Sequence, residues 1–190
     1  MEKKHRHFIL HKPYGYLSQF ITNQTKRKKK MLGELYDFPE GTMAIGRLDF
    51  TSEGLLLLTT DGKVSQEIRS NKYEKEYYVQ VDGLITQTAI EALKKGVEIG
   101  FEGKKYITKP GKASIIEDPK FPLRSQKIRD DRHGPTSWIS VIIREGKFRQ
   151  VRKMTAAVGY PTLRLVRVRI DTITIYNLQN GEVKEVPQLP

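Results

Sequence analysis

The chain has 190 residues, with 34 Lys plus Arg against 22 Asp plus Glu, a formal net charge of +12 and no cysteine. The missing cysteine excludes a disulfide framework, a thiolate nucleophile and a cysteine zinc site, and no apolar run nears the roughly 20 residues that span a bilayer. No apolar stretch of the secretory kind follows the charged N-terminus, so a cytoplasmic chain with a polyanionic partner is expected, built as one domain or two small lobes.

In chain order, Phe8-Ile9-Leu10-His11 reads as a first strand, ended by a turn at Pro13 and Gly15. Residues 17–21 read as a second strand. Residues 26–30, Lys26-Arg27-Lys28-Lys29-Lys30, are five consecutive cations, either a solvated loop or a phosphate-contacting arm. A short helix is expected over 31–38, stopped by Pro39. Residues 42–45 read as a strand and Leu55-Leu56-Leu57-Leu58-Thr59 as a fully buried one. After the Asp61-Gly62 turn a helix is expected to about Asn71, then a strand over 77–81. Thr86 caps a helix that runs to Lys95 and stops at Gly96.

The pattern weakens from 102 to 133, which predicts strand fragments followed by a long mobile loop over 120–134. Residues 136–144 read as a strand. A helix is expected over 147–158, with Phe148, Val151, Met154 and Val158 at helical spacing and Gly159 closing it. Strands follow over 162–170 and 172–176. Asn180-Gly181 between apolar segments is a hairpin signal. The sum is an α+β fold, one mixed, mostly antiparallel sheet with helices against it.

From Arg144 to Arg169 there are eight cations and a single anion, Glu145. On a helix and a strand such density predicts a rigid nucleic-acid surface, and the Arg excess suits bidentate phosphate contact and base stacking. RNA is favoured over duplex DNA, since no helix-turn-helix is visible and aromatics such as Tyr73, Tyr77 and Phe148 are interleaved. His5 and His7 read as solvated residues of a frayed terminus, and His11 as structural. Asp49 stands out in a glycine-flanked loop, Gly46-Arg47-Leu48-Asp49-Phe50-Thr51-Ser52-Glu53-Gly54. On spacing alone it reads as a structural Arg–Asp pair or a turn cap, although polar loop residues on a rigid scaffold are where function concentrates.

That loop, continued through Leu55-Leu56-Leu57-Leu58-Thr59 to Gly62, resembles the catalytic signature of the RsuA-type pseudouridine synthases. Lys12-Pro13 with Gly15 is similar to the family's opening turn, and Lys75-Glu76-Tyr77-Tyr78-Val79 to its second motif. Glu145-Gly146-Lys147-Phe148-Arg149-Gln150-Val151-Arg152-Lys153-Met154, followed by Leu165-Val166-Arg167, is similar to its third. Four motifs in order cover nearly the whole chain. Pro161-Thr162-Leu163-Arg164-Leu165 and the ending around Asn177 to Glu182 resemble the RluE branch, which acts on large-subunit ribosomal RNA. Two positions depart from the family pattern: Phe148, where a polar residue is more usual, and Asp171, where Gly is.

The resemblance implies a pseudouridine synthase fold with a central RNA-binding cleft. It implies one catalytic domain over 1–190, of two lobes sharing an extended sheet, without an N-terminal S4-type domain, since the pattern begins by Phe8. It implies cleavage of the N1–C1′ bond of a uridine, rotation of the base and joining of C5 to C1′, with no cofactor or metal, by a monomer. Asp49 is then the catalytic carboxylate, attacking C1′ or acting through the 2′ proton. Either route needs it ionised, and because burial raises a carboxyl pKa a cationic partner is required. The resemblance assigns that part to Arg152. Tyr77 would stack on the base and help remove the C5 proton, and Leu165 would pack near it. Arg47 would hold the flipped nucleotide or enter the RNA stack, with Lys75, Arg149, Lys153 and Arg167 completing the substrate-binding set. The competing readings are a non-catalytic RNA-binding assembly factor and a synthase acting on another RNA. Retention of Asp49, Tyr77 and Arg152 together favours the enzyme.

Overall fold

The computed structural model describes residues 4–22 and 29–190, so Lys26, Arg27 and Lys28 of the cationic run lie outside the described residues. Its elements are β1 (His7–Lys12), β2 (Met43–Ile45), β3 (Glu53–Thr59), α1 (Gly62–Arg69), β4 (Lys75–Asp82), α2 (Gln87–Lys95) and β5 (Glu98–Phe101). There follow β6 (Lys104–Ile107), β7 (Lys112–Ile116), β8 (Thr136–Ile143), α3 (Gln150–Ala157), β9 (Thr162–Ile170), β10 (Ile173–Thr174) and β11 (Val183–Val186). Among the described residues no helix is long and apolar enough to cross a membrane. The chain divides into two compact units, the chain up to Tyr73 with Arg167–Pro190, and Glu74–Val166.

In the first unit β1 pairs with β11 on one side and β3 on the other, while β2 also pairs with β3 and β10 with the end of β9, all antiparallel. Every residue of β3 is buried, Glu53 and Thr59 included, which is why its middle, Leu55 to Leu58, is a continuous apolar run with no alternation. On β1 the two-residue period turns Phe8, Leu10 and Lys12 to one buried face. Phe8 packs on Tyr36 and Phe38, with centroids 5.8 and 5.4 Å apart, and Phe20 packs on Phe38 at 5.4 Å. α1 starts where Asp61 accepts from the Lys63 N–H at 2.8 Å, and that bond holds its carboxyl below the usual range.

In the second unit β8 lies between β4 and β7, antiparallel to both, and β5 and β6 form a separate two-stranded ribbon. β4 alternates strictly, with Lys75, Tyr77, Val79 and Val81 buried and the residues between them half-exposed. Thr86 caps α2 by accepting from the Ala89 N–H, and Gly96 ends it at a φ of +102°, as the sequence predicts.

Several local expectations fail for identifiable reasons. Residues 17–21 are not a strand; they are held by single contacts, Leu17 N–H to the Lys30 carbonyl and Leu32 N–H to the Gln19 carbonyl. The helix expected over 31–38 is one 3-10 turn, Leu32–Glu34, because Tyr36 and Phe38 turn into the Phe8 cluster. The strand expected over 172–176 shrinks to β10. Asn180-Gly181 makes no hairpin: β10 pairs with β9 and β11 with β1, and the Gly181 N–H binds the His11 carbonyl at 2.8 Å. The weakly patterned stretch holds β5, β6 and β7. The loop over 120–134 is tied down, Phe121 lying 6.2 Å from Tyr78 and 5.8 Å from Trp138 by ring centroids. α3 begins at Gln150, so Phe148 precedes it and is exposed, whereas Val151 and Met154 are buried as expected. His7 is part of β1 and hydrogen-bonds Thr59 at 2.9 Å, so it is not frayed. Asp171 adopts a φ of +50°, the left-handed conformation that a glycine takes without strain.

Candidate active site

In the first unit, the loop joining β2 to β3 carries Arg47 and Asp49. It is pinned from beneath by Ser18, whose hydroxyl donates to the Leu48 carbonyl at 2.8 Å and accepts the Leu48 N–H at 3.0 Å. Leu48 is buried under the loop, Arg47 is exposed and Asp49 half-buried. The Asp49 carbonyl accepts the Ser52 N–H at 3.0 Å, and the Phe50 carbonyl accepts the Gly15 N–H at 2.9 Å. The turn after β1 and the Asp49 loop are thereby one rigid piece.

Lys12 lies beneath that piece at 0% exposure. Its ammonium donates to the carbonyls of Pro13 at 2.9 Å and Tyr16 at 2.8 Å. Burial pushes its pKa down to about 7, against the opposing pull of Glu53 and Asp49, while Arg167 lowers it further. Lys12, Asp49, Glu53 and Arg167 therefore share one electrostatic environment. Arg167 is 4% exposed and its Nε donates to the Leu55 carbonyl at 2.8 Å. It is thus built into the scaffold, and Arg164 likewise is buried and bound to the Pro122 carbonyl at 2.9 Å. The cationic surface expected from 144 to 169 is therefore smaller than its charge count, since two of its eight cations face inward.

In the second unit, Tyr77 is 8% exposed on the buried face of β4 and Leu165 is buried on β9. Lys75, on the same face as Tyr77, donates to the Arg144 carbonyl at 2.7 Å. Arg152 and Lys153 are half-buried on α3, and Arg149 is exposed at its N-cap with a φ of +52°. No side-chain cap of the ordinary kind serves this helix. Instead the Lys147 N–H donates to the Gln150 side-chain carbonyl at 3.1 Å, and the Gln150 N–H donates back to the Lys147 carbonyl at 3.1 Å. The Gln150 amide then donates to buried Glu145 at 2.8 Å, which also accepts the Lys109 N–H at 2.8 Å and the Tyr106 hydroxyl. This network sets the start of the helix that carries Arg152. Lys147 lies over the rings of Phe101 and Tyr106, 4.5 and 4.7 Å from their centroids.

Sequence reasoning missed Lys12 and the Glu145–Gln150 network as physical devices. A signal for Lys12 existed, since Phe8, Leu10 and Lys12 share the inward face of a strand; Glu145 and Gln150 had none beyond membership of a motif. Among the described residues no group of three His, Asp or Glu is placed to hold a metal ion.

Each unit thus presents motif residues on a firmly held backbone, Asp49 on its loop in the first and Arg152 on α3 in the second. The chain belongs to the RNA pseudouridylate synthase family, whose sequence profile matches residues 6–157. It is 41% identical over 180 residues to a ribosomal large subunit pseudouridine synthase E of Vibrio vulnificus, covering 94% of this chain and 74% of that protein. It is 42% identical over 177 residues to a protein of the same name from Xanthomonas campestris pv. campestris, covering 92% and 91%. A crystal structure of a pseudouridylate synthase superposes with a TM-score of 0.74 at 28% identity, over 96% of this chain and 70% of that one. The chain is accordingly an RNA pseudouridine synthase with the expected α+β fold.

Proposed function

We propose that this chain isomerises one uridine of 23S ribosomal RNA to pseudouridine, as a single cytoplasmic catalytic domain and a monomer, with Asp49 as the catalytic carboxylate. The substrate follows from the two relatives named for the large ribosomal subunit. The observation that carries the assignment of Asp49 is its loop. Ser18 and Gly15 fix the backbone on either side of a half-buried carboxylate, the preorganisation that a reacting group needs.

In the reaction the N1–C1′ bond breaks, the uracil turns, C5 bonds to C1′ and the C5 proton leaves. The resemblance to the family assigns the cationic role in this reaction to Arg152. Tyr77 faces the base and Leu165 packs beside it. Arg47, exposed two residues before Asp49, contacts the flipped nucleotide, whose extrusion costs a few kcal/mol that phosphate contacts offset. Arg149 and Lys153 hold phosphates, while Lys75 and Arg167 are each bound to a backbone carbonyl within their own unit.

Tritium release from deproteinised large-subunit RNA labelled at uridine C5 tests this. Wild type is expected to release tritium, and Asp49→Asn to lose about a thousandfold or more in rate with RNA binding intact. Turnover by Asp49→Asn, or an equal loss of binding, would overturn the assignment.

A further inference from the structure

Phe148 is 67% exposed, on a turn that the structure otherwise holds firmly. The Glu145, Lys147 and Gln150 bonds fix the turn from within, and Arg149 in the left-handed region sets the direction in which the chain leaves it. The surroundings of the ring are cationic. The Lys153 ammonium is 5.5 Å from its centroid and is itself anchored on the Gly100 carbonyl at 2.7 Å. Arg149 is exposed beside it, and the only acid from 144 to 153, Glu145, is buried under three hydrogen bonds.

A rigid, exposed aromatic ring with the Lys153 ammonium over one face matches the two halves of an unpaired nucleotide, a flat base for its other face and a phosphate for the cation. It matches an acidic peptide poorly, because a carboxylate would leave the face of the ring empty. Resting on the function proposed above, we infer that Phe148 is a stacking platform for an unpaired base of the RNA substrate, with Lys153 and Arg149 on the adjoining phosphates.

The test compares Phe148→Ala, Phe148→Leu and Phe148→Trp in the tritium-release assay on deproteinised large-subunit RNA, and the same changes in an Asp49→Asn background for direct binding of that RNA. Stacking predicts a loss of about tenfold in affinity for Ala, appearing in KM, little recovery with Leu and full recovery with Trp. Thermal unfolding should not move, because the side chain is exposed. Wild-type behaviour of Phe148→Ala, or rescue by Leu as good as by Trp, would overturn the inference. A loss seen on ribosomal particles but not on bare RNA would assign the ring to a protein partner and overturn it too. If wild type releases no tritium the function above fails, while the binding arm still decides whether Phe148 stacks on RNA.

Discussion

The side-chain amide of Gln150 donates to the buried carboxylate of Glu145 at 2.8 Å, and through that one bond the first turn of α3 is fixed to the core of its unit. Burial on its own would push the Glu145 carboxyl up, but bonds from Tyr106, Lys109 and Gln150 outweigh it and hold the group below the usual range. A carboxyl depressed in the folded state stabilises the fold at pH above its unfolded value, about 4.3, and the gain is lost as pH falls through the folded value. Glu145→Gln should therefore cost about 1–3 kcal/mol at pH 7. In urea unfolding the gap to wild type should narrow steadily between pH 5 and pH 3. A gap that stays constant with pH would show that Glu145 acts only by shape.

Lys12 gives a pH dependence of the same sign in a higher window, but its depressed pKa costs stability at neutral pH where that of Glu145 adds it. Its ammonium, pushed down to about 7 by burial, loses its proton in the folded chain well before the unfolded chain does near pH 10.4. Between those values the unfolded state binds more protons, so this group makes the fold more stable as pH rises, by up to about 1.4 kcal/mol per pH unit. Lys12→Met should remove that rise. The measurement is urea unfolding of both proteins at pH 6, 8 and 9.5. Parallel curves would assign the pH dependence to other groups and remove the buried ammonium from the account.

Gly54 has a φ of +107°, and a Cβ placed there would overlap the backbone of Arg167. Backbone cannot swing aside as a side chain can, so Gly54→Ala combines left-handed strain with overpacking and should cost at least about 3 kcal/mol. Gly62 opens α1 with no atom within 4 Å of a built Cβ and no positive φ, and Gly62→Ala should be neutral or stabilising by up to about 1 kcal/mol. The two melting temperatures decide the matter, and similar ones would contradict the close approach of β3 to Arg167.

What the sequence disclosed follows from how local each signal is. The run from Leu55 to Thr59 and the alternation from Tyr77 to Val81 were legible because burial imprints itself on every residue of a strand. Thr86 and Gly96 were legible because caps depend on neighbours a few residues away. Asn180-Gly181 misled because a two-residue turn fixes only its own geometry, while β10 pairs back on the adjoining end of β9 and β11 finds its partner in β1 at the other end of the chain. In the candidate site Asp49 was visible through its motif. The burial of Arg164 and Arg167 was not, since a cation facing inward to a backbone carbonyl looks in the sequence like one facing water.

Residues 120–134 offer the last check. Arg129 donates through Nη1 to Asp82 Oδ2 at 3.0 Å and through Nη2 to Oδ1, clamping the segment to the end of β4. The Arg129 side chain is 19% exposed and that of Asp82 42%, so solvent screens the pair and its worth is about 0.5–1 kcal/mol. That is too little to threaten the whole fold but enough to hold a loop, because a segment opens at its own local free energy. Arg129→Ala should lower Tm by no more than about 2–4 °C while tryptic cleavage at Arg124 and Lys127 quickens about fivefold. Asp82→Asn should do the same, and the double variant should be no worse than either, since both changes break one contact. Additive effects would show that Arg129 and Asp82 act through different partners, and unchanged cleavage in both single variants would leave Phe121 and the Arg164–Pro122 bond as what holds the loop.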